Sequence, residues 1–238
     1  MSGDLIDTTE MYLRTVYELE EEGVPPLRAR IADRLGHSGP TVSQTVSRME
    51  RDGLIHVGSD RQLELTDTGR NEAMRVMRKH RLAECLLVDV IGLPLEEVHA
   101  EACRWEHVIS DSVERRLLEI LNHPRVSPFG NPIPGLGQLS AEYADLESST
   151  DAWMTMADIA SRGGGTGTIR RIFEPVQPDV ALMLALRSAG VRPGAVVSVN
   201  VGEGNNTDLV VSLDGQAVAV PRDAAEHIVL SDVGLSAL

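Results

Sequence analysis

Apolar positions divide the chain into a helical first half and a last third that alternates as strands do. Met11, Leu13, Val16, Tyr17 and Leu19 repeat at helical spacing, and Asp7-Thr8-Thr9-Glu10 before them has the form of a capping box. A first helix is expected from about Thr8 to Glu22, stopped by Gly23 and followed by Pro25-Pro26. Leu27, Ile31 and Leu35 align on a short second helix. Gly36-His37-Ser38-Gly39 makes a turn, and Pro40 opens a third helix to Arg51 that buries Val42, Val46 and Met49. Asp52 to Val57 and Gln62 to Leu65 read as a hairpin around Gly58-Ser59-Asp60-Arg61. Helix, tight glycine turn, helix and hairpin is the order of a winged helix-turn-helix. The competing reading is a small structural helical unit with solvated arginines.

From Thr66-Asp67-Thr68-Gly69 a long helix should run to about Val90, with Gly92 closing it. Pro94 starts another that ends near Ser110, and Asp111-Ser112-Val113-Glu114 caps a further one through Leu121. Ser127 to Gly137 is too rich in Pro and Gly for regular structure, and Glu142 to Asp151 is acidic and Ser-rich, so a domain boundary falls there. Gly163-Gly164-Gly165-Thr166-Gly167 is expected as a flexible loop; it is not a phosphate loop, because no Lys-Ser/Thr and no helix follow it. Strands are expected at Gly167 to Phe173, Ala195 to Val201, Leu209 to Leu213, Ala217 to Val220 and His227 to Leu230. Glu203-Gly204-Asn205-Asn206-Thr207 and Asp214-Gly215 are hairpin-type turns, and one helix, Pro178 to Ser188, interrupts the strands. About five short strands with one helix suit a small SH3-type barrel.

Composition narrows the class. The 238 residues allow two or three small domains, and with aromatics at only 3% aliphatic side chains must fill the core. The start, MSGDLIDTTE, has neither a basic nor an apolar leader region, and no apolar run reaches the roughly 18 residues that span a bilayer, so a cytoplasmic location without membrane contact is expected. Cys85 and Cys103 are then reduced thiols, with Cys85 a small buried hydrophobe in Cys85-Leu86-Leu87-Val88. A net charge of −14 argues against indiscriminate nucleic-acid binding, while leaving room for a basic patch on one domain and for neutralisation by bound cations.

Candidate chemistry concentrates in two places. On the third helix Thr41, Ser43, Gln44, Ser47 and Arg48 face outward, short polar groups and a carboxamide able to approach base edges. Arg28, Arg48, Arg51 and Arg61 are placed to meet phosphates. At about 100° per residue, His99, Cys103, Glu106 and His107 fall at roughly 0°, 40°, 340° and 80°, one helix face of imidazole, thiolate and carboxylate donors. His80 and Glu84 add an imidazole and a carboxylate one turn apart on another helix. An ordinary polar surface with one buried thiol is the competing reading of that stripe.

Asp7 to Thr15, Leu27 to Ala32, Ser38 to Val46, Met77 to Glu84, His99 to His107 and Ser127 to Gly135 resemble the diphtheria toxin repressor and iron-dependent regulator family, nearly continuously from about residue 5 to 136. The resemblance implies dimeric, ferrous-iron-activated repressors. It implies a primary, activating site of Met11, Cys103, Glu106 and His107 and an ancillary site of His80, Glu84 and His99, joined from the third domain by Glu174 and Gln177. It places an anion at Arg81, Ser127 and Asn131. Two departures stand out: Cys85 where relatives commonly have Arg, and His37 where they have Gln or another polar residue.

The expected architecture is mainly α with α+β parts: a winged helix-turn-helix over residues 1–73, a helical metal-binding and dimerisation domain over 74–140, a linker at 141–150 and an SH3-like β-barrel over 151–238. The expected function is an iron(II)-activated transcriptional repressor controlling iron-homeostasis genes. It binds palindromic operator DNA as a homodimer, with one dimer or two per operator. Gln44 with Ser38, Pro40 and Ser43 would face bases, while Arg28, Arg51 and Arg61 hold phosphates. Thiolate, thioether, imidazole and carboxylate form a mixed set suited to Fe(II), Co(II), Ni(II) or Zn(II), with Mn(II) a substitute in vitro. A manganese sensor of the same fold is disfavoured by the Cys103 thiolate. A metallohydrolase would need an open coordination position and a general base, and no H-E-x-x-H is present, so no enzymatic activity is expected. A metal-storage or interaction protein is the remaining rival.

Overall fold

The computed structural model describes residues 7–140, 143, 152–202 and 208–236. The linker, apart from Tyr143, and the Glu203 to Thr207 turn lie outside the described residues. The chain divides into two compact units, one of Met1–Ala83, Ala102–His123 and Ile133–Ala144, the other of Glu84–Glu101, Pro124–Pro132 and Asp145–Leu238.

The first unit begins with α1 (Thr8–Glu21), whose N-terminus is capped by Asp7: Oδ1 accepts from the amides of Thr9 at 2.8 Å and Glu10 at 3.3 Å. α2 (Arg28–Leu35) ends at Gly36 in the left-handed conformation, and Ser38 caps α3 (Gly39–Arg51), which carries Pro40 in its first turn. β1 (Ile55–Val57) and β2 (Leu63–Leu65) pair antiparallel as the wing, with Ile55 opposite Leu65 and Val57 opposite Leu63. Leu13, Val16, Leu19, Ile31, Val42, Val46, Met49, Ile55 and Leu63 close over one core. The start of α4 (Asp67–Leu86) packs so closely on the wing that a Cβ at Gly69 would lie 1.9 Å from the Leu54 carbonyl oxygen.

Two further helices follow, the first of them belonging through Glu101 to the second unit and from Ala102 to the first. α5 (Leu95–Trp105) stops short of the Ser110 expected from the sequence: the chain turns at residues 106–108, and Ser110 is already the N-cap of α6 (Asp111–Ile120). Arg78 on α4 is buried, with Nε donating to Glu114 Oε1 at 2.8 Å and Nη1 to the Gly135 carbonyl at 2.9 Å. This guanidinium fastens α4, α6 and the chain near Gly135 together. The stretch read as the end of α4 is a π-helical turn, Leu87–Ile91, closed by Gly92 at φ 76°.

In the second unit one antiparallel sheet runs in the order β3 (Met154–Thr155), β8 (Ile228–Leu235), β4 (Gly165–Ile172), β5 (Val196–Val201), β6 (Leu209–Leu213), β7 (Gln216–Val220). α7 (Met156–Ser161), α8 (Val180–Ser188) and α9 (Arg222–Ala225) accompany it. The two-residue strand β3 and the short helices α7 and α9 are too brief to leave a periodic signal, so the expectation of five strands and one helix was incomplete. The Gly163 to Gly167 run is corrected as well. Its second half is the start of β4, and glycine serves there for contact: a Cβ at Gly165 would lie 2.6 Å from the Gly234 carbonyl. The Pro- and Gly-rich segment is irregular, as expected, yet firmly held. Ile172 donates its amide to the Phe129 carbonyl at 2.9 Å, Phe129 is buried, and a Cβ at Gly130 (φ 83°) would come within 2.0 Å of the Arg170 carbonyl oxygen. No described helix is long and apolar enough to cross a membrane.

Candidate metal centre and nucleic-acid interface

Three of the four donors assigned to the primary site meet in the first unit. Cys103 lies in the last turn of α5, and Glu106 and His107 in the turn that follows. Glu106 is the hub. Arg14 Nη1 donates to its Oε1 at 2.9 Å and its Oε2 at 2.7 Å, His80 Nδ1 lies 2.6 Å from Oε2, and His107 Nε2 is 3.4 Å from Oε1. The same Arg14 Nη1 lies 3.3 Å from Cys103 Sγ. His107 Nδ1 is 2.6 Å from Glu10 Oε2, a pairing that fixes the ring with Nε2 toward Glu106.

Electrostatics follow from this packing. Burial alone would raise the Glu106 carboxyl, but the Arg14 guanidinium and the His80 imidazole outweigh it and hold the group at about 2. The hydrogen bond to Glu10 pushes the His107 imidazole above its ordinary value, with the Glu106 charge adding to the effect. Arg14, opposed by burial but supported by Glu106, Cys103 and Glu18, keeps its charge. A buried cation thus already spans a thiol and a carboxylate, and that donor set, with His107 adjoining, fits a borderline divalent ion. Met11, half-buried on α1, lies between Glu10 and Arg14 along the helix. Glu10 and Arg14 escaped the sequence reading; their i, i+4 spacing around Met11 was the signal that could have found them.

The ancillary residues fall differently. His80 belongs to the first unit, where it contacts Glu106, a ligand assigned to the other site. Glu84, His99, Glu174 and Gln177 belong to the second, all buried. There His99 Nδ1 is 2.8 Å from Gln177 Oε1, a hydrogen bond that the ring nitrogen donates, and 4.0 Å from Glu84 Oε1. Gln177 Nε2 and Asn131 Nδ2 both donate to the Ile172 carbonyl, and Asn131 Nδ2 lies 3.5 Å from Glu174 Oε1. Of the anion-site residues, Arg81 is fully buried in the first unit with its guanidinium on Glu21 at 2.5 and 3.0 Å. Ser127 and Asn131 lie in the second unit; Ser127 Oγ accepts from the Phe129 amide, and Asn131 Oδ1 is buried with no hydrogen bond.

On the reading head, Ser38, Pro40, Thr41, Ser43, Gln44, Ser47, Arg48 and Arg51 are exposed. Gln44, Thr45, Ser47, Arg48 and Arg51 line a hollow of about 450 Å³. Arg28 is half-buried at the start of α2, and Arg61 stands exposed at the wing tip at φ 67°, a conformation costly for a side chain with a Cβ. His37, in the turn between α2 and α3, has Nδ1 2.8 Å from the Tyr12 hydroxyl on α1.

An exposed polar recognition helix, a two-stranded wing and a helical region behind them define a winged-helix DNA-binding regulator. Family models agree: residues 4–63 match the iron dependent repressor N-terminal DNA binding domain, 66–135 the iron dependent repressor metal binding and dimerisation domain, and 154–232 the FeoA domain. The chain belongs to the iron-dependent repressor family of transcriptional regulators, that of the diphtheria toxin repressor. It is 54% identical to the iron-dependent repressor IdeR of Mycobacterium leprae, over 97% of this chain and 100% of that one. It is 51% identical to the diphtheria toxin repressor of Corynebacterium diphtheriae, over 97% and 99%. Among solved structures, IdeR of T. acidophilum matches with a TM-score of 0.71 at 26% identity, over 95% of this chain and 98% of that one. A manganese-dependent transcriptional repressor in complex with manganese matches at 0.74 and 28%, over 94% and 99%. The family is one of repressors, not enzymes, and its domains give the chain DNA and a second copy of itself as partners.

Proposed function

We propose that this chain is an iron(II)-activated repressor of iron-homeostasis genes, acting as a dimer on palindromic operators, one dimer or two per operator, in the cytoplasm. Met11, Cys103, Glu106 and His107 form the activating site; His80, Glu84, His99, Glu174 and Gln177 form the ancillary one, with an anion at Arg81, Ser127 and Asn131. The observation that carries the reading is the cation-bearing cluster on Glu106, whose α1 members stand on the first helix of the winged-helix core. Met11 on α1, Cys103 at the end of α5, and Glu106 and His107 in the turn after it would hold a divalent ion, which would supply a Lewis-acid link between α1 and that segment. Glu10 orients His107, His80 orients Glu106, and α1 packs through Leu13 and Val16 on the core that carries α3. Gln44, with Ser38, Pro40, Thr41 and Ser43, then meets bases, and Arg28, Arg48, Arg51 and Arg61 meet phosphates.

Gel-shift titration with Fe(II), Co(II) and Mn(II) tests this. Metal should tighten operator binding by at least about tenfold, the scale of typical allosteric coupling, and Cys103→Ala should abolish the effect while His80→Ala weakens it. Equal operator affinity with metal and with chelator overturns the reading. A manganese-responsive regulator is the second reading, favoured by the solved manganese-bound relative; the Cys103 thiolate argues against it. Stronger activation by Mn(II) than by Fe(II) at equal free concentration would decide for it.

A further inference from the structure

Arg14 has no task in the metal site as the family resemblance defines it, yet it contacts two of the residues assigned as ligands. Its guanidinium is buried, with Nη1 on both Glu106 oxygens at 2.7 and 2.9 Å and 3.3 Å from Cys103 Sγ. Those are two of the groups a divalent ion would need. Arginine does not lose its proton in proteins, so it cannot yield the carboxylate by neutralising itself and must be displaced.

The other side of the guanidinium is committed as well. Nε donates to Glu18 Oε1 at 2.6 Å; Glu18 Oε2 lies 3.7 Å from Arg34 Nη1, and Arg34 Nη2 donates to Glu22 Oε2 at 2.7 Å. Arg34 sits in the last turn of α2, just before the Gly36 turn that leads into α3. A line of alternating charges therefore runs from Glu106 through Arg14 and Glu18 to the helix preceding the reading head.

We propose that Arg14 is an internal competitor for the activating site, a positioning residue whose guanidinium and a divalent metal ion hold Glu106 and Cys103 in turn, and whose release from Glu106 is relayed to α2 through Glu18 and Arg34. The proposal rests on the activating site assigned above. It sets the threshold of the response: metal has to overcome a resident cation, so the ligands bind more weakly than their chemistry alone allows. It also makes the threshold adjustable at a residue that is no ligand.

Full-length protein is titrated with Co(II), followed by the thiolate-to-cobalt absorption, and operator affinity is measured with Co(II) and with chelator. Wild type must show the absorption; its absence would overturn the assignment of Cys103 and the proposal with it. Arg14→Gln should bind Co(II) about tenfold more tightly, the scale on which groups around ligands tune metal sites, and its operator affinity should depend less on metal. Arg14→Lys, which keeps the charge but has no second nitrogen to hold Glu18 while the first holds Glu106, should fall between and guards against a misfolded glutamine variant. Glu18→Gln should leave Co(II) affinity within about twofold and reduce the operator response. Structural damage would weaken metal binding, so tighter binding separates competition from a merely supporting role. Unchanged or weaker Co(II) binding in both Arg14 variants, with the wild-type absorption intact, overturns the competitor and leaves the activating site standing.

Discussion

At the scale of single residues, charge placement decides behaviour. Glu106 takes up a proton near pH 4.5 in the unfolded chain and only near 2 in the fold. Its ionised form therefore stabilises the folded state fully above about pH 4.5, and that contribution is lost as pH falls from there to about 2. Glu106→Gln should cost on the order of 3 kcal/mol at neutral pH in chelator, with the difference from wild type narrowing over that interval. Urea midpoints across the range check it, and a pH-independent difference refutes it. Arg61 gives the opposite kind of forecast. Its φ of 67° stores backbone strain at the wing tip, so Arg61→Gly should leave stability equal or raise it by up to about 1 kcal/mol. The same change should weaken operator binding and lower its salt dependence by about one ion. Thermal melts beside gel shifts at two salt concentrations separate the effects.

At the scale of elements, close approach rather than propensity fixes the second unit. Gly130 lets the Pro- and Gly-rich segment lie against the Arg170 carbonyl, and Gly130→Ala should dislodge that segment from β4, exposing Phe129 and destabilising the unit by more than about 2 kcal/mol. Hydrogen exchange at the Ile172 amide, which donates to Phe129, reads this directly. Sequence made the winged helix legible because its caps and stops are local: Asp7, Gly36, Ser38 and Pro40 all act within a few residues of the helix they bound. It did not reveal β3, α7 or α9, which are too short to repeat their period, nor the role of Gly165, whose neighbour Gly234 is remote in the chain. The candidate site divided in the same way. Cys103, Glu106 and His107 were read as one helix face, but α5 ends at Trp105 and the last two lie in the turn after it; Glu10 and Arg14 had only their i, i+4 spacing as a signal, and the partners that give them a role, His107 and Glu106, are remote in the chain.

At the scale of the whole molecule, binding of metal and of operator are linked equilibria. Whatever factor Fe(II) adds to operator affinity, operator must add to Fe(II) affinity, and titrating each ligand in the presence of the other checks the equality. The net charge of −14 makes the reading head a local exception to a repelling surface, so operator affinity should fall steeply as salt rises. The two thiols of the chain differ in a way that makes the protein its own reporter. Burial, with the Glu84 and Asp89 charges, pushes the Cys85 thiol well above the usual range, whereas Cys103 is only half-buried and lies against a guanidinium. A maleimide fluorophore at neutral pH should therefore attach to Cys103 and pass over Cys85. With Cys103 in the activating site proposed above, labelling of the purified protein in time courses would give site occupancy without DNA, as the fraction of chains that added Fe(II) shields from the dye.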